Sequence, residues 1–290
     1  MASLQEQQLS QIRSQFALDW QVPEFRIDFW DGKTADYCVV VPVINEGERI
    51  HQFVQRLKQS QVASKADIII VDGGSTDGSL QQDFLREHGV RGLITKTGPG
   101  KLSAQLRVAY AFALASNYCG VITIDGNNKD DPSEIPEFIK AMKQGSDFVQ
   151  ASRFIAGGQG VNTPVMRTLA IRLIHAPVLR LASGFAWTDT TQGFRGYSER
   201  LLRHPGISIF RSVFESYELL VYLSYIAPRL GLKCIEIPST RVYPAGAVPT
   251  KISSVRGNLD LLKSLLKAVR GRYTPVVSGP SATQPVSPAG

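Results

Sequence analysis

Short apolar runs alternate with stretches of helical spacing between residues 37 and 150, and this alternation constrains the fold more than any other feature of the sequence. Predicted strands lie at residues 37–43 (YCVVVPV), 67–71 (DIIIV), 91–96, 121–124 and 147–150. Apolar strands separated by helices indicate a parallel sheet that is covered on both faces. Such a sheet binds ligands at the carboxyl ends of its strands. We therefore predict an α/β fold with a Rossmann-like, mostly parallel sheet flanked by helices.

The segments on either side of this region complete the predicted organisation. Residues 1–36 form an N-terminal extension in which apolar residues recur at the spacing of an amphipathic helix. Residues 37–257 form the sheet domain, and residues 258–273 form a basic amphipathic helix. Residues 274–290 are rich in proline, serine and glycine, a composition that is typical of disorder.

The chain carries a surplus of positive charge, with 32 Lys+Arg residues against 25 Asp+Glu residues and a formal net charge of +7. This surplus favours anionic partners such as nucleic acid, an acidic membrane surface or a phosphorylated substrate. We expect no nucleic-acid partner, because the sequence has no motif that combines aromatic and basic residues.

The cysteines and the N-terminus indicate the compartment. Cys38, Cys119 and Cys234 are far apart and form no CxxC pair, so we interpret them as free thiols in a reducing compartment. The N-terminus lacks a basic region followed by an apolar stretch, which argues against a signal peptide. No run of about 18 apolar residues indicates a transmembrane helix. We therefore expect a cytoplasmic protein.

Three polar clusters follow predicted strands directly. They are residues 42–46 (PVINE), residues 72–77 (DGGSTD) and residues 125–131 (DGNNKDD). One carboxylate after a strand is often a helix cap, and for Asp77 this interpretation is as good as a binding role. Three clusters at one edge of a sheet are better explained by a polar cleft for a nucleotide diphosphate and a divalent cation.

At these positions the sequence resembles the family 2 glycosyltransferases of GT-A fold, and among them the dolichol-phosphate mannose synthase branch. The resemblance spans about residues 37–258. Its motifs are VVVPVINE (39–46), IIIVDGGSTDGS (68–79), VITIDGNNKDDPSEIPEFI (121–139), QASRF (150–154), DTTQGFRGYS (189–198) and EIPSTRVYPAGAVPTKIS (236–253). Each motif is weak alone, whereas their order and spacing together are specific. The resemblance implies a hexosyltransferase that uses a UDP- or GDP-sugar.

The resemblance also assigns donor-binding roles. Asn45 and Glu46 would line the nucleotide pocket, and Asp72 would hold the base or the ribose. Arg153 would contact phosphate, although a surface arginine with a buried stem is the alternative. The full set of expected donor-binding residues is Pro42, Asn45, Glu46, Asp72, Gly74, Ser75, Lys101, Asp125, Gly126 and Arg153.

A metal site is implied at Asp125, which opens the Asp-x-Asp motif that holds Mg²⁺ or Mn²⁺ against the diphosphate in this family. The sequence departs from the motif at its second position, which is Asn127. An amide oxygen can bind a hard cation, but the missing negative charge should weaken the site. Asp130 and Asp131 are candidates to compensate. We expect Mg²⁺ or Mn²⁺ at Asp125 and Asn127.

Three further residues are expected to be catalytic. The resemblance places Asp189 beside the reacting centre, although a loop aspartate is also a common turn residue. Arg195 would bind an anionic acceptor or the diphosphate. Lys251 lies in a loop that contains glycine and proline, and such a loop suits a lid on the acceptor side.

The reaction implied is the attack of an acceptor oxygen on the anomeric carbon of the activated sugar, with inversion. A sugar hydroxyl needs a general base, whereas an ionised phosphate needs only cations that position it. The stretch after Gly184 carries Asp189 but lacks the Glu-Asp pair that family members acting on sugar hydroxyls often show. This difference favours a polyprenyl-phosphate acceptor.

Two alternatives stay open. One is transfer to a sugar hydroxyl during the assembly of a surface polysaccharide or a lipid-linked glycan. The other is a pseudoenzyme that binds a nucleotide-sugar without turnover, an interpretation that Asn127 makes worth testing. A nucleotidyltransferase is not favoured, because residues 41–48 (VPVINEGE) are not the glycine-rich, basic loop that its chemistry needs.

Two amphipathic segments bear on a peripheral membrane role. Residues 165–181 are interspersed with arginines, and the C-terminal helix combines leucines with Lys263, Lys267 and Arg270. Both segments fit helices that lie on the anionic inner face of a membrane. An ordinary amphipathic helix packed on the domain is the alternative and the commoner case.

Overall fold

An eight-stranded sheet runs through the protein, for which this computed structural model describes residues 3–244 and 255–275. Two further strands form a separate small sheet. The strands of the described ranges are β1 (Phe25–Trp30), β2 (Tyr37–Val43), β3 (Asp67–Asp72), β4 (Val90–Lys96), β5 (Gly120–Thr123), β6 (Phe148–Ser152), β7 (Gln159–Val161), β8 (Arg195–Ser198), β9 (Cys234–Pro238) and β10 (Thr240–Val242). The five strands predicted between residues 37 and 150 correspond to β2, β3, β4, β5 and β6.

The order of strands in the large sheet is β1-β4-β3-β2-β5-β8-β6-β9. β4, β3, β2 and β5 run parallel to one another, and β6 runs parallel to β9. β1 and β8 run antiparallel to their neighbours. The sheet is therefore mostly parallel, as predicted, and β8 interrupts the parallel run between β5 and β6.

Helices connect the strands and cover the sheet. The helices of the described ranges are α1 (Leu4–Ser14), α2 (Glu48–Gln59), α3 (Gln82–Glu87), α4 (Leu102–Ala115), α5 (Ile135–Lys143), α6 (Val165–Ala170), α7 (Ala176–Ser183), α8 (Glu199–Leu202), α9 (Glu218–Arg229) and α10 (Val255–Val269). A π-helical turn, Ile171–His175, joins α6 to α7, so that residues 165–183 form one continuous helical segment.

Every residue of β2 is buried, because its successive side chains enter cores on opposite faces of the sheet. Val40 packs into a cluster that includes Phe112 of α4. Val39 and its neighbour on the same face, Val41, pack into a second cluster that includes Phe53 of α2. This double burial explains why the strand is apolar throughout instead of alternating.

The N-terminal extension differs from the prediction, because it contributes a strand to the sheet. α1 packs against β1, as expected of an amphipathic helix. β1 then pairs antiparallel with β4 at the sheet edge, and Phe25, Ile27 and Phe29 are buried while the side chains between them are more exposed. α1 and β1 are therefore packed on or paired with the sheet, and the boundary predicted at residue 36 stays a prediction.

The C-terminal helix α10 packs on α9, with Leu265 and Ala268 buried. This packing agrees with the alternative of an ordinary amphipathic helix. No helix in the described ranges is long and apolar enough to cross a membrane. Most of the tail at residues 274–290 lies outside the described residues, so its predicted disorder stays a prediction.

Candidate functional site

A cavity of about 870 Å³ opens at the carboxyl ends of β2, β3 and β5. The start of α4, the helical segment 165–183 and β10 supply other parts of its wall. This is the place where a parallel sheet is expected to bind its ligand. The residues of the predicted site that line the cavity are Pro42, Asn45, Glu46, Lys101, Asp125, Gly126, Asn127 and Arg195.

Asp72, Gly74 and Ser75 are not among the residues that line the cavity. Asp72 ends β3 and accepts hydrogen bonds from the amide and the hydroxyl of Ser75 at 2.9 and 2.6 Å. The Ser75 hydroxyl oxygen in turn accepts a hydrogen bond from the amide of Asn45 at 3.0 Å. These bonds tie the loop after β3 to the loop after β2. Asp72 thus orders the loops beside the cavity, and its expected contact with the base or the ribose stays a prediction.

Two other side chains hold the same edge together. Gln105 of α4, which the sequence analysis did not single out, donates hydrogen bonds from its amide to the carbonyls of Val43 and Val71 at the ends of β2 and β3. Asp77 accepts a hydrogen bond from the amide of Gly47 at 2.8 Å. Asp77 therefore joins the two loops, and it does not cap the helix that follows.

The Asp125 carboxylate faces the cavity and is held from two sides. The backbone of Gly193 lies against it, so closely that a Cβ atom on residue 193 would be 2.5 Å from Oδ1. Oδ2 accepts hydrogen bonds from Arg241 Nη2 at 3.3 Å and from Asn127 Nδ2 at 3.4 Å. The Asp125 side chain is 26% exposed, which leaves it accessible to a ligand in the cavity.

Arg241 of β10 belongs to a motif that the sequence analysis quoted without giving this residue a role. Its guanidinium pairs with Asp125 and with the fully buried Asp130. Asp130 also accepts a hydrogen bond from Gln192 Nε2 at 2.8 Å. This network holds β10 against the loop after β5 and engages both oxygens of Asp130.

Glu134 anchors the same strand. Its Oε1 accepts a hydrogen bond from the amide of Thr240, the first residue of β10, at 2.8 Å. Its Oε2 is buried, and no described residue donates a hydrogen bond to it. Burial raises the pKa of Glu134 to about 7.

This raised pKa predicts that stability falls as the pH rises from about 4.5 to 7. The folded protein holds the Glu134 proton more tightly than the unfolded chain, in which the glutamate pKa is about 4.3. The contribution of this proton to stability is therefore complete below that pH and is lost as the pH rises through the pKa of the folded protein. The full effect would be about 1.4 kcal/mol for each unit by which the pKa is shifted. Because the side chain is only partly buried, we expect the free energy of unfolding to change by less, about 1–2 kcal/mol in total. Glu134→Gln should remove this slope from urea denaturation curves measured across the window. An unchanged slope in the variant would assign it to another group.

Three positive charges converge on the cavity beside Asp125. The charged groups of Lys129, Arg167 and Arg241 lie 5.1, 6.0 and 5.7 Å from the centroid of the Tyr243 ring. Burial lowers the pKa of Lys129, and Arg241 lowers it further. All three cationic residues line the cavity. A concave site with a surplus of positive charge attracts a multiply charged anion.

The residues around Asp125 fit a resident divalent cation poorly. Mg²⁺ and similar ions take several oxygen ligands and favour carboxylates. Within the described ranges, no three His, Cys, Asp or Glu side chains come together as metal ligands. Neither candidate for compensation is free, since Asp130 is engaged as described and Asp131 pairs with Arg56 at 3.4 Å. The predicted site thus consists of one carboxylate and the Asn127 amide, beside three positive charges.

Arg153 and Asp189 form a buried ion pair outside the cavity. Nε and Nη2 of Arg153 donate to the two carboxylate oxygens at 2.7 and 2.9 Å, and the two side chains are 1% and 0% exposed. Burial alone would raise the pKa of Asp189, but the Arg153 guanidinium outweighs it and holds this pKa below its usual range. Both expectations are therefore corrected. Arg153 is not free to contact phosphate, and Asp189 is not available as a general base.

Arg195 has a supporting position instead of the expected anion-binding one. Its guanidinium donates hydrogen bonds to the backbone carbonyls of Gln192, Leu220 and Thr190 at 2.9, 2.7 and 3.1 Å. The residue lines the cavity but is 1% exposed, so its guanidinium donors bind the backbone of the cavity wall instead of a ligand. The third predicted catalytic residue, Lys251, lies outside the described residues.

The helical segment 165–183 presents different side chains to the cavity and to the outside. Arg167, His175 and Leu179 line the cavity. The π-helical turn between α6 and α7 changes the phase of the helix, a feature often found at functional sites. The exposed apolar residues of the segment are Val165, Met166, Leu169, Leu173, Ile174 and Leu181.

Comparison with known proteins places this site in a family. The model of glycosyl transferase family 2 matches residues 38–211. The chain is 26% identical over 205 residues to the undecaprenyl-phosphate mannosyltransferase of Micrococcus luteus, covering 70% of this chain and 82% of that protein. It is 29% identical over 133 residues to the dolichol-phosphate mannosyltransferase of Pyrococcus furiosus, covering 45% of this chain but only 37% of that protein.

Solved structures show the same architecture. Glucosyl-3-phosphoglycerate synthase from Mycobacterium tuberculosis, in complex with Mn²⁺, UDP and glucosyl-3-phosphoglycerate, superposes with a TM-score of 0.55 at 18% identity, covering 83% of this chain and 81% of that one. The same enzyme with Mg²⁺ and UDP gives a TM-score of 0.54. At this identity the likeness establishes the fold, which is GT-A. The family match covers more than half of the chain, and the protein therefore belongs to glycosyl transferase family 2 as a nucleotide-sugar-dependent enzyme.

Proposed function

We propose that this enzyme transfers a sugar from a UDP- or GDP-sugar to a polyprenyl phosphate. The observation that carries the proposal is the position of Arg167. Its side chain lines the cavity that contains Asp125, and it belongs to a helix whose other side exposes apolar side chains. An acceptor with a phosphate head and a hydrocarbon tail fits this arrangement. The names of the two mannosyltransferase relatives point to acceptors of the same chemistry.

In the proposed reaction, an ionised oxygen of the acceptor phosphate attacks the anomeric carbon. A new carbon–oxygen bond forms as the bond between that carbon and the diphosphate oxygen breaks. The bonding electron pair leaves with the nucleoside diphosphate. Because the attacking oxygen carries no proton, no side chain has to act as a base. The protein has to align the two anions and offset their charges.

The state of the carboxylates supports a phosphate acceptor over a sugar hydroxyl. Transfer to a sugar hydroxyl would need Asp189 as its general base, but Asp189 is buried in its ion pair with Arg153. Of the described carboxylates that line the cavity, Glu46 pairs with Arg49 at 2.8 Å and Asp125 pairs with Arg241. Each of these carboxylates is therefore already engaged by a guanidinium.

The substitution Arg167→Met tests the acceptor site. We expect the KM for polyprenyl phosphate to rise by about 10- to 100-fold, the value of a lost charge-assisted hydrogen bond. The affinity for UDP or GDP, measured by titration calorimetry, should change much less. Arg26→Met is the control, because Arg26 is an exposed arginine of β1, outside this helical segment, that does not line the cavity. A variant whose KM for the lipid is unchanged would remove Arg167 from the acceptor site.

The exposed side of the same helical segment is proposed to contact an anionic membrane. Val165, Met166, Leu173 and Leu181 are 72%, 75%, 69% and 89% exposed. Arg172 and Arg180 are also exposed. An apolar face with flanking arginines binds the boundary between lipid headgroups and acyl chains. Such contact would bring the phosphate of a membrane-embedded acceptor close to the mouth of the cavity.

Vesicle binding tests this contact. The protein should co-sediment with anionic vesicles, and high salt should weaken the binding through screening. Met166→Ser combined with Leu173→Ser should reduce the bound fraction several-fold, since about 1.5–3 kcal/mol is lost for each side chain removed from the membrane. Leu18→Ser, at a fully exposed position outside this segment, is the control. Equal binding of all three proteins would place the membrane contact elsewhere.

The expected divalent cation is present in the solved structures of a neighbour, whereas the residues of this chain fit it poorly. The enzyme in the solved structures binds UDP together with Mn²⁺ or Mg²⁺. For this chain, a cation at Asp125 and Asn127 stays a prediction, because the surrounding side chains supply few oxygen ligands and several positive charges.

A further inference from the structure

We propose that the ammonium group of Lys129 takes the place of a divalent cation at the donor diphosphate, so that the enzyme binds its nucleotide without a metal. The inference deepens the proposed function and rests on a nucleoside diphosphate being the leaving group. It concerns a residue four positions after Asp125, in the same loop at the end of β5.

The ammonium group of Lys129 has no anionic partner among the residues that the structure describes. The residue is 8% exposed, and its side chain lies over the Tyr243 ring at the cavity wall. Among the described residues, none accepts a hydrogen bond from this ammonium or pairs with it within 4 Å. A buried ammonium has three donors and is costly to bury without acceptors. The arrangement is therefore completed by an anion in the cavity, and phosphate oxygens supply suitable acceptors.

The charges around Lys129 favour an anion over a second cation. Lys129 interacts electrostatically with Arg241 and Arg167, which repel it, and with Asp125, which attracts it. Asp125 and Asp130 together offset two of the three positive charges, so the group keeps a net positive charge. A divalent ion at this place would be repelled by this net charge, whereas a diphosphate would be attracted by it.

Asn127 is consistent with this role for Lys129. A metal site would benefit from a carboxylate at residue 127, because each anionic ligand strengthens the binding of a hard cation. The amide instead donates to Asp125 and accepts from the amide of Lys129 at 3.4 and 3.3 Å. It thereby orders the loop that carries the ammonium. During transfer, Lys129 would hold its proton and donate a hydrogen bond to the departing diphosphate.

Titration calorimetry with UDP and with GDP tests the inference, in excess chelator and in Mn²⁺. The full-length protein should bind one of the two nucleotides with affinities that agree within about threefold between the two conditions. Lys129→Met should weaken binding in chelator by about 10- to 100-fold, because a charge-assisted hydrogen bond is lost. Lys58→Met, an exposed lysine of α2, should bind like the unaltered protein.

A double variant should make nucleotide binding dependent on a divalent metal. Asn127→Asp combined with Lys129→Met supplies a second carboxylate and removes a repelling charge, so binding should be recovered in Mn²⁺ but not in chelator. Binding of the unaltered protein only in Mn²⁺, or an unchanged affinity of a folded Lys129→Met variant in chelator, would overturn the role of Lys129 and leave the transferase proposal standing. Failure to bind either nucleotide under any condition would overturn both.

Discussion

Replacing Arg153 by methionine is expected to lower the free energy of unfolding by about 3–5 kcal/mol. The reason is the complete burial of its partner, because removal of the guanidinium leaves the Asp189 carboxylate without its counter-ion in the interior. The second variant, Arg153→Met with Asp189→Leu, removes both charges and should recover much of the loss. Urea denaturation of the two variants beside the unaltered protein measures both effects.

An exposed pair and the pH dependence provide the controls. Arg203→Met breaks a pair with Glu199 in which both side chains are about 40% exposed, and it should cost about 0–1 kcal/mol.

In the unaltered protein, the pKa of Asp189 is lowered. The stability that ionised Asp189 contributes is therefore present above the unfolded value of about 3.9 and is lost as the pH falls through the folded pKa. In Arg153→Met the folded pKa should rise instead, and stability should then fall as the pH rises above 4. A loss below 1 kcal/mol with no change of slope would contradict the buried-pair account.

Gly193→Ala is expected to reduce sugar transfer by about 10²-fold, the cost of misplacing a reacting or binding group by about 1 Å. The Cβ atom would be 2.5 Å from Asp125 Oδ1, a distance that forces the carboxylate or the loop to move. The effect should appear in kcat and in nucleotide affinity, while the melting temperature changes little. Steady-state kinetics and calorimetry separate these quantities.

A second glycine provides the control for this substitution. Gly206→Ala places its Cβ atom 3.2 Å from the ring of His204, outside the cavity, where the ring can adjust. This variant should retain transfer. Activity of Gly193→Ala equal to that of Gly206→Ala would show that the position of Asp125 is not critical.

The parallel strands could be predicted because burial on both faces imposes an uninterrupted apolar run, as in β2 and β3. β1 and β8 were missed for physical reasons. β8 is four residues long and includes Gly196, and its place between β5 and β6 depends on long-range pairing that no local pattern specifies. β1 alternates in burial, but it lies within a segment dominated by the helical pattern of α1.

The candidate site also combines residues whose place follows from a local pattern with residues whose place depends on long-range contacts. Polar residues directly after strands, such as Asn45 and Asp125, do reach the cavity, because the topology of a parallel sheet places them there. From the sequence alone, the ion pair of Arg153 and Asp189 could not be distinguished from a phosphate-binding arginine and a general base. Their pairing is a contact across 36 positions, visible only in three dimensions.

The cationic residues of the cavity were the main omission. Lys129 and Arg241 lie within the motifs of the family resemblance, but no role was predicted for either residue. One signal was available in the sequence. A lysine four positions after Asp125, together with an amide at residue 127, changes the charge of a loop expected to hold a metal.

The most direct test of the account is the transfer of radiolabelled sugar from UDP- and GDP-sugars to polyprenyl phosphate in anionic vesicles, with a water-soluble glycan offered in parallel. We expect labelled lipid, little labelled glycan, and a loss of about 10²-fold when Asp125 is replaced by alanine, since Asp125 holds Arg241 in place at the cavity. Label found on the glycan alone, with the lipid phosphate unmodified, would contradict the proposed acceptor.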